Sequence, residues 1–84
     1  MKMTIGMINK IHNLSIKIFE AEEDDVVDRR KVTNRERAIM RILDKVCYSG
    51  DIKIQIYGII SSNIFQENND STIKELKKIG VEIK

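Results

Sequence analysis

Between Asp51 and Ile60 the chain reads Asp-Ile-Lys-Ile-Gln-Ile-Tyr-Gly-Ile-Ile, with Ile52, Ile54 and Ile56 alternating against Lys53, Gln55 and Tyr57. Alternation with period two is the pattern of a strand with one buried face, and β-branched side chains suit a pleated surface. Gly58 would weaken a helix interior by about 1 kcal/mol relative to alanine. The stretch is therefore expected to form a central strand with Ile54 in the core, and the other elements are arranged around it.

Upstream, Met1, Met3, Ile5 and Met7 alternate with Lys2, Thr4, Gly6 and Ile8, and residues 14–20 repeat the alternation through Leu14, Ile16 and Ile18. Asn9 to Asn13 has turn chemistry at both ends, so the simplest joint is a β-hairpin. The competing reading is an amphipathic helix with Ile5, Ile8, Ile11 and Leu14 on one stripe. Thr33-Asn34-Arg35-Glu36 has the form of a capping box opening a helix that runs to about Tyr48. Ile39, Ile42, Leu43, Val46 and Cys47 form its apolar stripe, and Ser49-Gly50 its stop. Downstream, Asp70 or Ser71 can cap a second helix carrying Ile73, Leu76 and Ile79. Gly80 ends it, and Val81 to Ile83 begin a short strand, parallel to the central one by a right-handed crossover.

At 84 residues this is one domain, and domains of that size bury only about 60–65% of their unfolded surface. With 42% hydrophobic residues, chiefly isoleucine, and no Trp or Pro, the core is expected to be aliphatic. No apolar run approaches a membrane span, and the N-terminus lacks the continuous apolar stretch of a signal peptide. Cys47 is the single cysteine, so no intramolecular disulfide can form, and a reducing, cytoplasmic setting is expected.

Charge is distributed unevenly. Glu20, Glu22, Glu23, Asp24, Asp25 and Asp28 place six acids in nine residues, and Arg29, Arg30, Lys31, Arg35, Arg37 and Arg41 follow as six bases. Outside residues 20–28, seven acids face 15 bases, a balance of +8 within a total of +2. Residues 20–31 are too charged to bury and are expected to form a solvated acidic loop. Carboxylates so clustered invite a divalent cation, but the spacing lacks the alternation and central glycine of an EF-hand loop. His12 is the only histidine, which excludes multi-histidine metal sites, and nothing in the sequence joins it to Cys47 as base and nucleophile. Phosphate-binding glycine loops are also missing. No enzyme activity and no cofactor are therefore expected.

The six bases are the feature with functional weight, because several guanidiniums on one helix face and its approach can converge on phosphates. The competing account is a solvated surface on which the acids pair with the bases. Val32 to Leu43, after an N-terminal β segment, resembles the first helix of OmpR-type winged helix-turn-helix domains, and Ser71 to Ile83 is similar to their recognition-helix end and first wing strand. The order of elements from Arg35 to Lys84 also resembles that of Alba-like nucleic-acid-binding folds. Both resemblances imply DNA or RNA as partner. Residues 51–60, read as strand, depart from the winged pattern, and the final hairpin of the Alba-like pattern is absent.

The sequence thus predicts a single small α+β domain over residues 1–84: N-terminal hairpin, acidic loop at about 20–31, helix, central strand, helix, short C-terminal strand. Its expected role is non-enzymatic binding, as a small nucleic-acid-binding or regulatory domain using Arg29, Arg30, Lys31, Arg35, Arg37 and Arg41. The alternative is a protein-interaction or inhibitor module, of the kind phage and mobile elements carry, docking through a sheet edge or the acidic loop. No membrane partner is expected, and homodimerisation is left open.

Overall fold

The computed structural model describes residues 1–23 and 28–84. Its elements in chain order are β1 (Lys2–Met3), α1 (Ile5–Glu23), α2 (Arg29–Asp44), α3 (Gly50–Ser62), α4 (Asp70–Lys78) and β2 (Glu82–Ile83). The described chain is thus mostly helical, and the α+β domain with a central strand is corrected to a four-helix packing with a minimal strand pair.

The N-terminal hairpin is replaced by α1, along the stripe of the competing helical reading. Thr4 starts it, its Oγ1 accepting a hydrogen bond from the Met7 N–H at 3.1 Å, which satisfies one of the donors a helix leaves free at its first turn. Ile8, Ile11, Ser15 and Ile18 are its buried positions, at the three- and four-residue steps of a helix facing a core. Ser15 is tolerated there because its hydroxyl donates to the Ile11 carbonyl at 2.8 Å.

The expected central strand is α3. Ser49 precedes it in extended conformation and its side chain accepts from the Ile52 N–H, while Asp51 puts an acid in the first turn, where the helix dipole favours one. Ile56 and Ile60 are fully buried and Ile52 and Ile59 pack against the core, whereas Ile54 is 66% exposed. That phase belongs to a helix, because in a strand Ile54 would share a face with Ile52 and Ile56. Gly50, expected as a stop, opens this helix.

The other ends shift with it. α2 begins at Arg29 with Asp28 as its cap, the carboxylate accepting from the Arg30 N–H, so Thr33-Asn34-Arg35-Glu36 lies inside the helix and caps nothing. The expected loop at 20–31 is thereby corrected: Glu20, Glu22 and Glu23 end α1, and Arg29, Arg30 and Lys31 begin α2. Asp24 and Asp25 lie outside the described residues.

α4 forms where expected, but its N-cap is Asn69, not Asp70 or Ser71, and no side chain bonds the free N–H groups of its first turn from that position. Gly80, at φ +91°, closes it in the left-handed conformation that glycine adopts without penalty. The Gly80 N–H donates to Lys77 at 3.1 Å and the Val81 N–H to Leu76 at 3.0 Å. This is the Schellman arrangement, and Val81 and Leu76, the positions that such a motif brings together, are both buried in the core. The turn delivers β2 to β1, with Lys2 opposite Glu82 and Met3 opposite Ile83 in a parallel pair. β2 therefore pairs with the N-terminus, and no crossover to residues 51–60 exists.

One core joins these elements: Met3, Ile8, Ile11, Ile18, Ile39, Leu43, Ile56, Ile60, Leu76 and Val81. α1 and α2 form an αα-hairpin and make the most extensive helix contact. The opposite side of α1 receives the segment after α3. There His12 Nε2 bonds the Ile64 carbonyl at 3.0 Å, Asn69 donates to Asn9 at 2.7 Å, and Phe19 meets Phe65 edge to face at 5.2 Å. Lys53 pairs with Asp44 across the α2–α3 junction.

Candidate nucleic-acid interface

All six predicted bases lie on α2, which carries only Glu36 and Asp44 as acids. At 100° per residue, Arg30, Asn34, Arg37 and Arg41 fall on one row, opposite the buried Ile39 and Leu43. These four are exposed, as are Arg29 and Lys31 beside them. Arg29, Arg30, Thr33, Asn34 and Arg37 line a shallow depression of about 320 Å³ on this side.

Arg35 is separated from the others. It is half-buried, and its Nη1 donates to the Lys17 carbonyl of α1 at 2.8 Å. Its guanidinium ties the αα-hairpin together, so the structure brings five of the six bases to an open surface and turns the sixth inward.

Arg41 suits the last turn of α2, where the helix dipole favours a base, but the charges at the end of α1 and the start of α2 are placed against their own helices. The first turn of α2 has no acid and three bases, at the helix end where the backbone dipole is positive, and α1 ends in acids with no base in its last turn. Each such placement works against its own helix by up to about 1 kcal/mol. The hairpin does set the two ends side by side, and Glu22 shares a depression with Arg29, Val32, Thr33 and Glu36. Yet the only ion pair among the described residues is Lys53–Asp44, with none joining Glu20, Glu22, Glu23 or Asp28 to an α2 base.

The other sequence candidates are dispersed. His12 directs Nε2 to the Ile64 carbonyl, and Cys47 is half-buried with Sγ 3.8 Å from the Ser49 carbonyl, so neither contacts the other. Among the described residues, no group of three His, Cys, Asp or Glu side chains is placed to hold a metal ion, and no helix is long and apolar enough to cross a membrane.

One surface escaped the sequence reading. Glu36 and Met40 of α2 with Ile54 and Tyr57 of α3 line a mostly apolar depression of about 170 Å³. Assigning 51–60 to a strand hid it; read as a helix, Ile54 falls off the stripe made by Ile52, Ile56 and Ile60, which is the signal that would have revealed it.

Comparison with known proteins finds no family model, no curated sequence and no solved structure that matches this chain. The functional reading therefore rests on these side chains.

Proposed function

We propose that this protein is a small, non-enzymatic nucleic-acid-binding domain of a reducing, cytoplasmic setting, and that it binds through the outward face of α2. The observation that carries the reading is the exposed row Arg30, Arg37 and Arg41, flanked by Arg29 and Lys31, on a helix whose opposite side is core. Guanidiniums held on a packed helix meet phosphate oxygens bidentately with little ordering cost.

The test is fluorescence anisotropy of labelled duplex DNA over a salt series, on wild type and on a variant with Arg30, Arg37 and Arg41 all changed to Ala. Wild-type affinity should fall by about 0.9 log unit per phosphate contact for each log unit of salt. The variant should show a shallower slope at unchanged thermal stability. No binding tighter than about 100 µM at moderate salt, the weak end of ordinary non-specific binding, removes the reading.

A second reading, a protein-interaction module, is favoured by the apolar depression at Met40, Ile54 and Tyr57. Docking through a sheet edge loses its basis, since strands of two residues offer too few main-chain groups. If DNA binding fails, Ile54→Asp is the variant to compare with wild type for loss of a protein partner.

A further inference from the structure

We infer that the nucleic acid is B-form duplex DNA, with α2 lying in the major groove and Asn34 reading a base edge. The inference rests on the nucleic-acid reading above and goes beyond it by fixing form, groove and reading residue.

The row on α2 is not purely basic. Asn34 sits within it, between Arg30 and Arg37, with Thr33 beside it. Asparagine and threonine are both poorer helix formers than alanine, and both are exposed here. Among the described residues the Asn34 side chain makes no hydrogen bond, so its amide donor and acceptor are not used within that part of the fold. An amide presents a donor and an acceptor side by side, the complement of the N6 and N7 edge of adenine in the major groove. Guanidiniums one turn to either side would hold it there through phosphates or guanine edges.

The shape agrees with that groove. From Arg30 to Arg41 the helix rises about 16 Å, roughly five base-pair steps, and a helix with its side chains is about 10–12 Å across, close to the width of the B-form major groove. Among the described residues, none covers the outward side of α2 along this row, α1 and the core lying on the opposite side. The major groove of A-form RNA is too deep and narrow to admit a helix. Single-strand binders stack bases on aromatic rings, and α2 contains none.

The experiment has two arms. In the first, wild type is titrated with a short random-sequence DNA duplex, the corresponding RNA duplex and the DNA single strand at one moderate salt concentration. The DNA duplex is expected to bind at least about tenfold more tightly than either of the others. In the second arm, sites are selected from a random duplex library by wild type and by Asn34→Ala. Wild type should enrich an adenine at a fixed position. The variant, with an unchanged circular dichroism spectrum and salt slope, should lose about tenfold or more in preference at that position alone. Equal binding of the RNA and DNA duplexes, or selection without an adenine preference, overturns the groove assignment while leaving a salt-dependent nucleic-acid binder. Absence of binding to all three probes removes the reading on which the inference rests, and the inference with it.

Discussion

Arg35 and Arg37 lie two positions apart on α2, yet one reaches the backbone of α1 and the other reaches water. Arg35→Ala should therefore cost about 1 kcal/mol in urea unfolding, through the lost bond to Lys17 and the packing of the side-chain stem, and leave the salt dependence of DNA binding unchanged. Arg37→Ala should do the reverse, lowering the salt slope with an unfolding midpoint within error of wild type. Identical behaviour of the two variants would contradict the division between them. Gly80 is the other position where one residue decides local structure. At φ +91° an alanine is strained, so Gly80→Ala should destabilise the protein by about 1 kcal/mol or more, read from the same urea curves. This turn was legible in the sequence because few residues other than glycine can end a helix in that way.

α3 shows why the central element was not legible. Five isoleucines in nine residues satisfy two periods at once: Ile52, Ile54 and Ile56 fit a strand, and Ile52, Ile56, Ile59 and Ile60 fit a helix. The local signals pointed to the helix, since Ser49 and Asp51 make a helix start and the stretch outlasts a typical strand. Packing then overrides the modest helix propensity of isoleucine. α1 was ambiguous for the same reason, whereas α4 combined a polar N-terminus, a three-residue apolar step and a terminal glycine, which no strand accommodates. One pair of variants separates the two periods. Ile56→Asp buries an unpaired carboxylate at a fully enclosed position and should leave the protein unfolded, while Ile54→Asp, on the opposite side of α3, should melt cooperatively near the wild-type temperature. In a strand both would face the core and both would unfold. Loss of the cooperative melt in Ile54→Asp would contradict the helical phase.

At the scale of the molecule, the charge pattern was legible and its placement was not. The sequence marked all six bases, because like charges at close spacing are visible without a fold. That Arg29, Arg30 and Lys31 belong to a helix depended on Asp28 acting as its cap, and that Arg35 turns inward depended on α1 being a helix long enough to present the Lys17 carbonyl. The acids at the end of α1 lower the field at the start of α2, so Glu22→Gln combined with Glu23→Gln should tighten DNA binding severalfold at low salt, with the gain fading as salt rises. Unchanged affinity at low salt would place these carboxylates outside the field of the interface. The most direct measurement of the central claim is a titration of the isotopically labelled protein with duplex DNA, followed by backbone amide NMR. Binding on the outward side of α2 predicts that the largest shifts, and side-chain shifts at Asn34, fall between Arg29 and Arg41, with α4 and the β1–β2 pair unmoved. Shifts confined to α4, or centred on Ile54 and Tyr57 with the arginine row silent, would contradict it.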